Sequence, residues 1–229
     1  MRDQPVVLVH GWGGSFAATW QQPGWEALLQ DAGRRVIGVD LLGHGTAPKP
    51  HDPAEYTDLT ARVVEALPAD EPVDAVGFSL GAMTLLELAA REPSRFGRLV
   101  VGGVGENVFR DDPERHSAIL DAVDGGGSGD DNVGRLFAQY ATQPGNDRVA
   151  LAACLRRKGT RLTTERLAAV KVPVLVAIGD RDFAGPGEPL VEALPDARLV
   201  VLKNTDHFAT PESFAFIDAA LDFLDALPA

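Results

Sequence analysis

The 229-residue chain holds one cysteine, two methionines and two tyrosines, has no apolar run long enough to span a bilayer, and is short of basic residues, with 21 Lys and Arg against 33 Asp and Glu. Each shortage excludes something. A lone Cys154 cannot close an intrachain disulfide. Without paired Cys or clustered Cys and His there is no structural zinc motif either, so a reducing cytoplasm is the expected compartment. A formal charge of -12 repels phosphate backbones and anionic headgroups, which argues against nucleic acid or a membrane as the partner. Met1-Arg2-Asp3-Gln4-Pro5 leads straight into Val6 to Val9, too short an apolar stretch for a signal-peptide core. What the chain does have is an ordinary globular composition, 45% hydrophobic and 24% charged, suited to one domain with a sizeable core.

Short β-branched runs alternate with longer segments of helical period, the pattern of a parallel sheet covered by helices on both faces. The runs predict strands at Val6 to His10, Arg35 to Asp40, Val73 to Phe78, Arg98 to Gly103, Val172 to Gly179 and Arg198 to Leu202. Helices are expected at Trp25 to Ala32, Tyr56 to Leu67, Leu80 to Arg91, Pro189 to Leu194 and Ser213 to Leu227. From Asn107 to Leu167 no strand is evident, and this stretch reads as an insertion with helices at Pro113 to Val123, Val133 to Ala141 and Arg148 to Arg157. Gly125-Gly126-Gly127-Ser128-Gly129 would be a flexible joint between the first two. Its charge is divided: Asn107 to Gly134 has two arginines against seven acidic residues, and Arg135 to Arg166 has seven basic residues against Asp147 and Glu165.

Chemistry is concentrated at the ends of the predicted strands. Gly77-Phe78-Ser79-Leu80-Gly81 follows an apolar strand and opens a helix, which is the context G-x-S-x-G requires. A serine on such a turn is strained and exposed at a helix N-terminus, and the glycines are needed because a Cβ would strike the neighbouring strand or helix. Its hydroxyl needs a base held in one tautomer by a carboxylate. His207 follows the last predicted strand and would lie at the same sheet edge. Asp180 and Asp182 both follow the strand before it, and spacing does not choose between them. After the first strand, His10-Gly11-Trp12-Gly13-Gly14 exposes backbone N–H groups, so Trp12 and Leu80 could form a two-donor oxyanion hole, with His10 structural.

Together these residues resemble the α/β-hydrolase superfamily over the whole chain except the insertion. Four motifs carry the likeness: the turn at His10, the Asp40-Leu41-Leu42-Gly43-His44-Gly45 stretch, the elbow at Ser79, and the Gly179-x-x-Asp182 loop with Pro186 beyond it. The resemblance implies Asp182 as the acid, with Asp180 a turn residue and Glu106 as the alternative position after the fourth strand. It also implies a mostly parallel, doubly wound sheet of about six strands, lacking the two that usually precede the oxyanion strand. Residues 1–106 and 168–229 would form the core and 107–167 a helical cap. Trp12, Trp20 and the cap look like the small carboxylesterases. One departure is Asn204-Thr205-Asp206 before the histidine, where a glycine or small residue is usual.

The expected activity is hydrolysis of a carboxylic ester or thioester of a small or medium acyl substrate by Ser79, Asp182 and His207, with no metal or organic cofactor. Rival readings are a serine-dependent C–C hydrolase, lyase or perhydrolase, or a hydrolase-like small-molecule receptor. Phe109, Leu136, Phe137, Tyr140 and Leu151 are candidates for an apolar pocket wall. The basic half of the cap could receive an anionic substrate or an acyl carrier. Cys154 reads as a small buried hydrophobe, and Asp40, His44 and Gly45 as loop-holding residues.

Overall fold

Val6-Val7-Leu8-Val9 is apolar throughout with every side chain buried, as a strand covered on both faces must be, and forms β1 (Val6–Val9). The computed structural model describes residues 4–110, 112–127 and 132–227. After β1 come α1 (Trp25–Asp31), β2 (Val36–Val39), α2 (Thr60–Ala66), β3 (Val73–Phe78), α3 (Leu80–Arg91) and β4 (Phe96–Gly102). Four helices follow, α4 (Pro113–Asp124), α5 (Asn132–Ala141), α6 (Arg148–Arg156) and α7 (Thr164–Leu167). The chain then closes with β5 (Val174–Gly179), α8 (Glu188–Ala193), β6 (Ala197–Leu202) and α9 (Phe214–Phe223). All five strand pairings are parallel, in the order β2-β1-β3-β4-β5-β6.

Alternate residues of β1 feed two cores. Val7 and Val9 pack with Val63, Leu85, Leu88 and Leu190 on the α2, α3 and α8 face. Val6 and Leu8 pack with Trp25, Leu29, Phe216 and Leu221 on the α1 and α9 face. The chain leaves β1 toward β2 on one side and returns to β3 on the other, so the direction of winding reverses between β1 and β3. In an open parallel sheet that reversal leaves a crevice at the carboxyl ends of the two strands. His10 to Gly14 and Ser79 occupy those two ends.

Between β4 and β5 the described residues form helices and no strand. Asp112 starts α4 by accepting the Arg115 N–H at 3.0 Å, and Gly125 ends it with φ at 94°, the left-handed conformation a helix C-terminus favours. Asp147 caps α6 through the N–H groups of Val149 and Ala150. A small cluster of Val123, Ala141, Leu151 and Ala152 holds these helices together and rests on Trp12. Ser128 and Gly129 of the glycine-rich joint, and Asp111, Asp130 and Asp131 of the acidic half, lie outside the described residues.

Several boundaries differ from the periodicity. The expected helix from Tyr56 is broken, because Asp52 caps a separate 3-10 turn (Pro53–Tyr56) and Asp58 accepts the Thr60 N–H and hydroxyl, so α2 starts at Thr60. A π-turn over Ala17–Gln21, invisible to a 3.6-residue pattern, buries Trp20. The four-residue α7 was too short to register as a period. The last helix stops at Phe223, where Leu224 caps it and Asp225 turns to φ 52°.

Candidate active site

Ser79 has φ 50° and ψ -112°, a conformation costly for any residue with a Cβ. Its neighbours hold it there. The Ser79 N–H donates to the Gly102 carbonyl of β4 at 2.8 Å, and the Ser79 carbonyl accepts the Met83 N–H at 3.0 Å. A Cβ on Gly77 would lie 2.8 Å from the backbone N and Cα of Ala82. One on Gly81 would lie 2.5 Å from the His10 carbonyl oxygen and closer still to that of Val9. Both elbow glycines therefore let backbone meet backbone, as the motif demands.

His207 and Asp182 arrive from the carboxyl ends of β6 and β5, the edge that Ser79 occupies at β3. His207 Nε2 lies 3.0 Å from Ser79 Oγ, and Nδ1 lies 2.9 and 3.0 Å from the two oxygens of Asp182. A carboxylate can only accept, so Nδ1 carries the proton and Nε2 is left bare to accept from the serine hydroxyl. The Asp182 side chain is fully buried and also accepts the Ala184 N–H at 2.8 Å. Asp180 instead accepts the Thr205 N–H and braces the two loops, and Glu106 pairs with Arg110 at 2.5 Å. Phe78, Phe183 and Phe208 surround the imidazole, with ring centroids 4.9, 4.2 and 5.4 Å away. Phe183 and Phe208 were not singled out from the sequence, although they directly follow Asp182 and His207.

The loop after β1 closes as a four-residue turn, Gly14 N–H to Gly11 carbonyl at 3.1 Å, with Gly13 at φ 74° in the position that requires glycine in a type II turn. A Cβ on Gly11 would strike the Phe78 ring and come within 3.3 Å of Ser79 Cβ, so the turn presses against the serine. The N–H of Trp12 has no hydrogen-bond partner among the described residues, and Leu80 is the first residue of α3, whose N–H a helix leaves open. His10 donates from Nδ1 to the Gly11 carbonyl at 2.7 Å and accepts the Leu41 N–H on Nε2 at 3.1 Å, so it ties two loops together as a neutral ring. Burial lowers its pKa. Asp40 accepts the Phe16 N–H and both the N–H and hydroxyl of Thr46, and these hydrogen bonds hold its carboxyl below the ordinary range against the opposing effect of burial.

Trp12 contributes more than its backbone. The indole N–H donates to the Leu151 carbonyl at 3.1 Å and the ring stacks on Phe137 at 4.9 Å, joining the loop to α5 and α6. Asn146 reinforces this by donating to the Gly13 carbonyl at 2.8 Å. Two cavities open at Ser79. One, of about 180 Å³, lies toward the π-turn and is lined by Phe137, Tyr140, Gln143, Phe208 and Glu212. The other, of about 390 Å³, lies toward α4 and α6 and is lined by Met83, His116, Ile119, Phe137, Leu155 and Arg157. Phe137 borders both. Phe109 borders neither: it packs against the core cluster that includes Leu80 and Val108, because the 3-10 turn over Glu106–Val108 carries it away from the opening. Leu151 is buried among the helices and Leu136 lines neither cavity. Cys154 is buried, which raises its thiol pKa.

Comparison with known proteins agrees with this architecture. A pimeloyl-acyl-carrier-protein methyl ester esterase of Neisseria meningitidis serogroup B is 30% identical over 246 residues, spanning 88% of this chain and 85% of that protein. The solved enol-lactonase of Burkholderia xenovorans LB400 superposes with a TM-score of 0.71 at 24% identity, covering 98% of this chain and 92% of that one. A thermophilic esterase of Thermogutta terrifontis gives 0.71 at 20% identity, covering 99% and 91%. At such identities these two structures speak to fold alone. Residues 4–150 match the family described as alpha/beta hydrolase fold, and with most of its length in that match the chain belongs to this family.

Proposed function

We propose that the chain is a serine hydrolase that cleaves a carboxylic ester or thioester of a small or medium acyl substrate through an acyl-enzyme. Ser79 Oγ attacks the carbonyl carbon as His207 Nε2 takes its proton, and the N–H groups of Trp12 and Leu80 receive the oxyanion. His207 then protonates the departing alkoxide or thiolate. In the second half His207 activates water, the acyl group leaves as the acid, and the proton returns to Ser79. Asp182 keeps Nδ1 protonated and stabilises the imidazolium. No cofactor enters these steps. The observation that carries this reading is the unbroken hydrogen-bonded line from Ser79 Oγ through His207 to a buried Asp182 beside two open backbone donors.

Residues 107–167 act as a cap on a core of residues 1–106 and 168–229, with Phe137 and Tyr140 as substrate contacts. The meningococcal relative's name makes a carrier-linked acyl ester a candidate substrate. Arg156 pairs with Asp124, which supports a solvated cap face there. No helix among the described residues is long and apolar enough to cross a membrane. With its one cysteine buried and unpaired, we place the protein in the cytoplasm.

The test is steady-state hydrolysis of p-nitrophenyl esters from acetate to laurate, with Ser79→Ala purified in parallel. Turnover that vanishes in the variant supports the reading, and its chain-length dependence reports pocket depth. A folded wild type inert on every ester would overturn it in favour of C–C hydrolysis, elimination or ligand reception.

A further inference from the structure

The two cavities that meet at Ser79 differ in charge. The lining of the cavity toward the π-turn contains no Lys or Arg and has Glu212 among its residues. Burial, then the charges of Glu212 and Asp206, raise the pKa of the Tyr140 hydroxyl there. The cavity toward α4 and α6 contains no Asp or Glu in its lining and includes Arg157 among apolar walls of Met83, Ile119 and Leu155.

Arg157 is placed by its own local structure. It lies just past the end of α6, and its Nη1 donates to the Cys154 carbonyl at 2.7 Å, an orphan acceptor of the last helical turn. Of the arginines nearby, Arg156 pairs with Asp124, Arg110 with Glu106 and Arg166 with Glu87, while Arg115 lies over the ring of Phe183 at the edge of the cavity. Arg157 has no carboxylate partner among the described residues; its hydrogen bonds go to the carbonyl and sulfur of Cys154. A guanidinium keeps its charge at any working pH and offers five donors, most of which remain available here. A half-buried cation facing a cavity whose lining holds no carboxylate is costly, and a ligand anion with matching geometry relieves that cost.

Building on the serine-hydrolase reading, we propose that the substrate is a half-ester of a dicarboxylic acid, its free carboxylate held by Arg157 in the larger cavity and its ester carbonyl at Ser79. Glu212 makes the reverse placement unfavourable, because it would set two carboxylates against each other. Arg157 is thus a specificity-determining residue, acting on binding and not on the chemical step.

The experiment compares monomethyl adipate with methyl hexanoate, which matches it in chain length and lacks the carboxylate, by following methanol release from the wild type, Arg157→Gln and Arg157→Lys. The wild type is expected to favour the half-ester in kcat/KM by about ten- to a hundredfold, the usual strength of a charged hydrogen-bonded contact, with the difference in KM. Arg157→Gln should abolish the preference by raising KM for the half-ester, and Arg157→Lys should restore part of it. A wild type that favours the neutral ester, or an Arg157→Gln variant that keeps the preference, would overturn the proposal. Calorimetric titration of adipate into Ser79→Ala, with and without Arg157→Gln, separates the two readings. Adipate binding that needs Arg157 supports the anion site even if turnover is absent and ester hydrolysis fails. No binding and no preference, alongside p-nitrophenyl ester turnover, refutes the anion site and leaves ester hydrolysis standing.

Discussion

Replacing Gly81 by alanine should damage stability and rate together, because one close approach supports both. The added Cβ would lie 2.5 Å from the His10 carbonyl oxygen and nearer still to that of Val9, and both obstacles are backbone of the strand that carries the Trp12 turn. Restoring ordinary van der Waals separation requires β1 and α3 to part by about one ångström. Overpacking of this kind costs about 3 kcal/mol where nothing flexible can yield. Alanine at a helical position returns roughly 1 kcal/mol through propensity, so the net loss is about 2 kcal/mol. For a chain of this size that lowers Tm by about 4–8 °C. The same displacement separates the N–H of Trp12 from that of Leu80, and errors approaching 1 Å cost up to about a hundredfold, so kcat should fall by about tenfold or more. Thermal unfolding and p-nitrophenyl ester kinetics on the purified variant read both effects. A Gly81→Ala protein with wild-type Tm and kcat would refute the close approach and the oxyanion geometry that rests on it.

Three further substitutions or conditions probe separate links. Asp182→Asn should lower kcat by about 10³- to 10⁴-fold with little change in KM, since an amide can donate to Nδ1 and turn the imidazole to the tautomer whose Nε2–H cannot accept the serine proton; a loss under tenfold would remove Asp182 from the triad. Trp12→Phe keeps the stacking on Phe137 but removes the indole bond to the Leu151 carbonyl, leaving that oxygen only its partner within α6, so urea unfolding should show a loss of about 1 kcal/mol, and an unchanged midpoint would contradict that bridge. Burial foremost, then His10, holds the His44 pKa down to about 3 from 6.5. The unfolded chain therefore takes a proton that the folded chain refuses, and stability is full above about pH 6.5 and falls below it. This group alone removes about 1 kcal/mol between pH 7 and 5.5, and His10, lowered by burial too, adds to the same trend. Urea unfolding at the two pH values tests it, and equal stability at both would contradict the buried neutral histidines.

The strand order and the meeting of Ser79, His207 and Asp182 were largely legible because both are local in origin. Val73 to Phe78 is a buried strand by composition, Gly77 and Gly81 announce a tight strand-to-helix turn, and parallel winding brings the ends of β3, β5 and β6 to one edge. What periodicity could not supply was contact between distant segments. The Trp12 indole binds α6 139 residues later, Phe183 and Phe208 meet on the imidazole from separate loops, and Phe109 faces the core although its hydropathy equals that of Phe137. The separation of Arg157 from its paired neighbours is of the same kind: Arg156 and Arg157 are adjacent in sequence, and only the fold sets one against Asp124 and the other at a cavity.

The central claim is that Ser79 is the nucleophile, and the most direct measurement is intact-mass and peptide analysis after exposure to a fluorophosphonate. The account predicts one stoichiometric adduct on the Ser79 peptide, formed as esterase activity disappears and missing in a folded Ser79→Ala protein. An adduct on another residue, or a wild type that hydrolyses esters yet is left unlabelled, would contradict it.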